Sequence, residues 1–277
     1  MCEMQIKLAE NYGFCFGVKR AIKIAEKSPN AITSGPLIHN NQEINRLKTS
    51  FNVSTAHDMS EIKDKNKVII RTHGIPKNDL EDLKKNNADV YDATCPYVTK
   101  PQQICEDMSS KGYEIVIFGD IEHPEVKSVM SYSKTPPIVI RSSEELDGLA
   151  IKSKVAIVSQ TTKKHEDFAK IIASLSRRCK EVRVFNTICN ATFENQDAID
   201  DLSREADVMI IIGGRSSSNT KQLYKISKNN CKSSYHIESD EELEKSWFEG
   251  KKLCGISAGA STPDWIIKQT IEAIKNI

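Results

Sequence analysis

VMIIIGGRSSSNTKQLYKIS, residues 208–227, sets the fold class. Its five leading apolar residues, mostly β-branched, fit a strand buried on both faces of a parallel sheet. Gly213 and Gly214 then allow a close backbone turn, and Ser217, Ser218 and Asn219 open a helix-like segment. The same order of parts appears in VIIRTHGIPKNDLEDLKK (68–85) and EIVIFGDIEHPEVKSVMSYS (114–133). Each is a strand, a Gly-containing turn carrying His or Ser/Asn, and a helix. The period is irregular, so the pattern describes several related α/β lobes rather than a solenoid.

Outward from these units, β-branched runs at 67–71, 137–141, 154–159, 181–185 and 253–257 alternate with helix-like segments at 18–27, 78–86, 125–132, 165–179, 191–206, 220–228 and 263–274. Such alternation predicts an α/β protein with mostly parallel sheets. No Pro/Gly/Ser linker or low-complexity tract intervenes, so small lobes packed around a shared centre are expected. The expected divisions are 12–95, 96–188 and 189–277, with residues 1–11 joining the last.

The 277 residues, 39% of them hydrophobic, suffice for real cores. Lys+Arg 39 against Asp+Glu 38 gives a net charge of +1, which supplies no global reason to bind nucleic acid or an anionic membrane. Any anion must be held by a local site. The N-terminus lacks the basic start and apolar run of a secretory signal, and no apolar stretch is long enough to span a bilayer. The sequence therefore predicts a soluble cytoplasmic protein without a nucleic-acid or membrane partner.

Eight cysteines in such a compartment are expected as reduced thiols. There is no CxxC, so a metal held by cysteine would draw ligands from distant segments. Cys15 (GFCFGVKRA), Cys95 (DATCPYVTK) and Cys189 (NTICNATFENQ) each precede a predicted helix, whose N–H groups and dipole favour a thiolate or an anionic metal–thiolate centre. Pro96 suits a first helical turn. A small buried hydrophobe is the alternative reading of any single cysteine, and it is kept for Cys2, Cys105, Cys179, Cys231 and Cys254.

His39, His73 and His123 also fall in turns or loops, which suits an anion or metal site as well as a structural role. Glu125 follows His123 across Pro124, in reach of the same cavity as a proton donor, or simply as an acidic residue in a first helical turn. The GGRSSSNT turn offers phosphate-cradling chemistry without the lysine of a P-loop, although Ser and Asn are also ordinary helix caps. Ser261 in SAGAST and Thr161 and Thr162 in SQTTKK read the same way.

In order, GFCFGV, IHN, THG, DATCP, HPEV, QTT, TIC-AT, SSN and SAGASTPD resemble the hydroxymethylbutenyl diphosphate reductase family of the non-mevalonate isoprenoid route. The resemblance implies three α/β lobes around a central [4Fe-4S] cluster held by Cys15, Cys95 and Cys189, with an open iron for the substrate hydroxyl. It implies reductive dehydroxylation of hydroxymethylbutenyl diphosphate, an allylic diphosphate, to isopentenyl and dimethylallyl diphosphate, with reduced ferredoxin or flavodoxin as electron donor. His39, His73, Ser217, Ser218, Asn219 and Ser261 would surround the diphosphate, with His123 near it. Glu125 would supply a proton, with Thr161 beside it and the hydroxyl.

The chain departs from the family pattern at Pro101 and Gln102, where an apolar residue and His are usual, and at Asn195, where Arg usually precedes Gln196. Both departures fall on helices behind the expected site. From the residues alone two other classes stay open. One is a zinc hydrolase, told apart by its lack of colour, and the other is a sensor of a phosphorylated ligand, told apart by its lack of turnover.

Overall fold

The computed structural model describes residues 4–63, 67–86 and 88–277, so Cys2 lies outside the described residues. Among them, twelve strands numbered along the chain form three four-stranded sheets in which every adjacent pair is parallel. The first sheet runs β3 (Ser54–Thr55), β2 (Ile32–Thr33), β4 (Lys67–Ile70), β5 (Asp89–Asp92). The second runs β7 (Ile138–Ile140), β6 (Glu114–Phe118), β8 (Lys154–Ser159), β9 (Glu181–Val184). The third runs β11 (Ser234–Ile237), β10 (Val208–Ile212), β12 (Leu253–Ala258), β1 (Gln5–Leu8).

All three sheets share one order, 2-1-3-4, with the N-terminal strand β1 serving as the fourth strand of the third sheet. An α-helix joins first to second strand: α2 (Asn41–Phe51), α5 (Pro124–Met130) and α8 (Ser218–Asn230). Short 3₁₀ turns join second to third, and α3 (Lys77–Lys85), α6 (His165–Arg178) and α9 (Asp264–Lys275) follow the third strands. Each fourth strand leads into a further helix: α4 (Pro96–Ser110) after β5, α7 (Asn190–Glu205) after β9, and α1 (Phe16–Glu26) after β1. The chain is thus one α/β unit used three times.

Two compact units result, one of Met1–Lys19, Ile38–Leu47 and Asn190–Ile277 and one of Arg20–Leu37 and Lys48–Cys189. In the former, side chains of β10 alternate between two covered faces, which explains its unbroken apolar run. Val208, Ile210 and Ile212 pack with Ile256, Ile266 and Ile267. Met209 and Ile211 pack with Leu202, Leu223 and Ile226.

In the other unit, Ile115 and Ile117 meet Ile104 and Met108 of α4 and Val126 and Val129 of α5. Val116 and Phe118 meet Phe168, Ile171 and Leu175 of α6. Val68 and Ile70 pack on Ile75 and Leu83. Among the described residues no helix is long and apolar enough to cross a membrane.

The structure adds elements that periodicity does not reveal. β1, β3, β5 and β11 are edge strands of mixed polarity, and β2 and β3 have two residues each, too few for a pattern. The helix α2 (NQEINRLKTSF) buries Leu47 together with the carboxylate of Glu43, so its inward face does not read as apolar. Glu43 is satisfied there by Arg46 in the same helix and by the indole N–H of Trp265 at 3.0 Å.

Candidate functional site

In parallel sheets, ligands gather beyond the carboxyl ends of the strands, at the strand where the order reverses. Every candidate site residue lies in such a turn or in the first turn of the helix that follows it. The first strands β2, β6 and β10 lead to His39, to His123 and Glu125, and to Ser217, Ser218 and Asn219. The third strands β4, β8 and β12 lead to His73, Thr161 and Ser261. The fourth strands β5, β9 and β1 lead to Cys95, Cys189 and Cys15.

One hydrogen bond recurs at each cysteine. The backbone N–H of Cys95 donates to Thr72 O at 3.0 Å, that of Cys189 to Thr161 O at 3.0 Å, and that of Cys15 to Ala260 O at 3.2 Å. Each acceptor stands two residues beyond its third strand, so each bond adds a rung between third and fourth strands past the end of the sheet. It ties a cysteine to the turn carrying His73, Thr161 or Ser261.

The three cysteines are half-buried, and α1, α4 and α7 start immediately after them. Cys95 is the N-cap residue of α4, with Pro96 in the first turn. The remaining described thiols are poorer metal ligands. Burial pushes Cys105 up to about 12 and Cys254 up to about 12, which keeps both protonated. Cys179 and Cys231 sit at the C-caps of α6 and α8, and burial pushes the Cys179 thiol up. No disulfide forms among the described residues. Half-buried soft donors at helix starts suit an iron–sulfur centre.

The unit that contains Cys95 and Cys189 also holds a buried acid bonded to a threonine. Glu125 opens α5 and is only 2% exposed. Its carboxylate accepts the N–H of Thr161 at Oε1 and the Oγ1–H of Thr161 at Oε2, both at 2.7 Å. Burial drives the Glu125 pKa up, and the two Thr161 bonds oppose the shift. Its backbone N–H donates to Nδ1 of His123 at 3.2 Å, so a neutral His123 carries its proton on Nε2. The His73 ring meets the His123 ring edge-on with centroids 5.4 Å apart.

The unit that contains Cys15 assembles neutral donors. Ser217 caps α8 by accepting the Thr220 N–H at 3.2 Å, which leaves its own hydroxyl proton to donate elsewhere. Asn219 is 5% exposed, and neither its Oδ1 nor its Nδ2 has a hydrogen-bond partner among the described residues. An amide buried without partners costs about 1–3 kcal/mol, a cost that a bound polar ligand offsets. A Cβ at Gly214 would meet the carbonyl oxygen of His39, and Ser261 Oγ donates to that same oxygen at 3.2 Å. His39 therefore docks against both the α8 turn and the Ser261 turn. Asn40 caps α2 by accepting the Glu43 N–H at 2.9 Å.

Supporting residues were not legible as such. Gln160 Oε1 accepts the Asp120 N–H, and Thr187 Oγ1 accepts the Ser159 N–H and donates to Ser159 O, fixing the turns before His123 and Thr161. Gln102 and Ser128 form a buried pair behind His73. Helical spacing is the signal that could have flagged them: Gln102 lies seven residues after Cys95, and Ser128 three after Glu125.

A family model described as LytB protein matches residues 6–275. The 4-hydroxy-3-methylbut-2-enyl diphosphate reductase of Campylobacter curvus (strain 525.92) is 65% identical over 272 residues, covering 98% of this chain and 99% of its own. The protein of the same name from Sulfurimonas denitrificans is 60% identical over 273 residues, covering 99% of each. A solved structure of (E)-4-hydroxy-3-methyl-but-2-enyl diphosphate reductase, described as the terminal enzyme of the non-mevalonate pathway, superposes with a TM-score of 0.72 at 44% identity over 100% of both chains. The Plasmodium falciparum E-1-hydroxy-2-methyl-but-2-enyl-4-diphosphate reductase shares the fold at TM-score 0.91, with 24% identity over 98% of this chain and 88% of that one.

Proposed function

The chain belongs to the LytB protein family, and on that premise we propose that it reduces 4-hydroxy-3-methylbut-2-enyl diphosphate to isopentenyl diphosphate and dimethylallyl diphosphate. The reaction consumes two electrons and two protons: the allylic C–O bond breaks, the oxygen leaves as water, and one new C–H bond forms. In our reading Cys15, Cys95 and Cys189 hold a [4Fe-4S] cluster. When bound, such a cluster supplies the electrons and a Lewis-acidic iron for the substrate hydroxyl. Reduced ferredoxin or flavodoxin is the proposed donor, and the cytoplasm, where thiols stay reduced, the proposed compartment.

The observation that carries this reading is the Glu125–Thr161 pair, whose Thr161 carbonyl also holds Cys189. Burial pushes the Glu125 pKa up, which favours the neutral carboxyl that a proton donor needs, while the Thr161 bonds pull the other way. Once the proton has left, the carboxylate already has two donors from Thr161, so the charged product state needs no rearrangement. In this reading Thr161 orients the acid and stands beside the departing hydroxyl.

His39, His73, Ser217, Ser218, Asn219 and Ser261 are proposed to bind the diphosphate, with His123 next to it. Neutral donors and helix-start N–H groups hold an anion without a basic field, in keeping with the net charge of +1.

Anaerobic purification tests the proposal. Brown protein with iron and sulfide, and formation of both products when a reduced donor is supplied, is the expected result. Colourless protein with zinc and no turnover would refute it.

A further inference from the structure

We infer that Gln102 and Ser128 are positioning residues that lock Cys95, the His123–Glu125 helix and the His73 turn into one register. The inference rests on the function proposed above and extends it to residues that touch none of the reacting groups. Gln102 Nε2–H donates to Ser128 Oγ at 2.8 Å, and Ser128 Oγ–H donates to Ile75 O at 2.9 Å. Gln102 is 5% exposed and Ser128 is fully buried.

Each member stands in register with a functional group. At 3.6 residues per turn, Gln102 lies two turns below Cys95 on nearly the same face of α4. Ser128 lies about one turn below Glu125 on α5. Ile75 is two residues past His73. The relay therefore spans three separate segments that hold a proposed cluster ligand, a proposed acid and a proposed diphosphate contact. Apolar packing between α4 and α5 resists separation but tolerates sliding, whereas two directional bonds in series do not.

The direction of the bonds dictates what residue 102 must be. The Ser128 proton is committed to the Ile75 carbonyl, so the hydroxyl offers residue 102 only a lone pair, and residue 102 must donate. Gly74 completes the fit. It adopts φ +71°, and a Cβ there would come within 2.6 Å of Ser128 Oγ and 2.8 Å of Gln102 Nε2. The backbone of the His73 turn thus rests directly on the relay. A second bond pair reinforces it, with Ser131 Oγ donating to Ser128 O at 2.6 Å and accepting the Lys77 N–H at 2.9 Å.

Gln102→Met keeps the length of the side chain and removes the donor. In the anaerobically purified holoenzyme, this variant and Ser128→Ala are each expected to keep iron content, with a modestly lowered melting temperature, while lowering kcat/KM by about tenfold to a hundredfold, the scale of a small misplacement. Weaker binding of inorganic diphosphate, read by calorimetry, should accompany the loss. Because both residues serve one relay, the double variant should be no worse than either single one. Gln102→His, which keeps an N–H at similar reach, should restore most of the activity.

Wild-type kcat/KM and diphosphate affinity in Gln102→Met would overturn the inference. So would fully additive losses, or a common loss of iron and melting temperature in both variants without rescue by His. Failure of the underlying function would look different, because the parent protein itself would then be inactive.

Discussion

Thr161 gives both of its N/O–H donors to Glu125, one to each carboxylate oxygen and each at 2.7 Å. A buried acid with two fixed donors can bear charge after releasing a proton, yet burial favours its neutral form beforehand. Glu125→Gln keeps the shape and one acceptor but has no proton to release. Turnover is expected to fall by about 10²–10⁴, the usual worth of general acid catalysis, with iron content and substrate affinity retained. Single-turnover kinetics with reduced donor would decide it. Normal product formation by the variant would move the proton to another group.

The same carboxyl sets a pH dependence of stability. Its folded pKa lies above the ordinary value of 4.5. Between 4.5 and the raised value the folded chain binds more protons than the unfolded one, so the Glu125 contribution to stability declines as pH rises through that window and then levels off. Glu125→Gln removes this decline. Its melting temperature relative to the parent should therefore climb with pH from the acid side of the window to its alkaline side. A difference that stays flat as pH rises from 4.5 would contradict the assignment.

If Asn219 binds the diphosphate as proposed, it trades stability for binding, because both polar atoms of its amide are buried without a partner among the described residues. Asn219→Ala should leave the melting temperature unchanged or raised. Affinity for inorganic diphosphate should drop by roughly ten- to a hundredfold, the value of one hydrogen bond to a charged oxygen at about 1.5–3 kcal/mol. Calorimetry and thermal melts on one preparation test both halves. An unchanged dissociation constant would mean that the phosphates sit elsewhere.

Ligation of the cluster is expected to separate the cysteines into two groups. Cys15→Ser, Cys95→Ser and Cys189→Ser should each lose colour, iron and activity. Cys179→Ser and Cys231→Ser, at helix C-termini, should keep all three. Full iron and sulfide in Cys95→Ser would exclude that residue as a ligand.

How much of this was legible in the sequence depended on burial symmetry. Runs such as residues 154–159 and 208–212 are covered on both faces and appear as β8 and β10 with the expected bounds. β5 (DVYD) and β1 (QIKL) are edge strands with half-exposed or exposed side chains, and no apolar pattern marks them. Yet these two strands deliver Cys95 and Cys15, so the sequence revealed the cysteines through their helix starts and not through the strands that place them. The turn residues were visible because Gly, His and Ser stand out after an apolar run. Ser128 and Thr187 were not, since a polar residue on a helix or loop reads as solvent-facing until its buried partner is known, and Gln102 stood out only as a departure from the family pattern.

The shared rung between each cysteine and its neighbouring turn has a consequence for tolerance. The spacing of adjacent strands, about 4.8 Å, is a constant of the polypeptide backbone and owes nothing to side-chain choice. Cys95 and Thr72, Cys189 and Thr161, and Cys15 and Ala260 inherit that gauge directly. Surface residues of a lobe can be exchanged, and its core repacked, without disturbing the backbone interval between cysteine and turn that this rung sets. A protein engineer could exchange a lobe's exterior freely and still find the cysteine backbone the same width from the neighbouring turn, provided the last rung is kept.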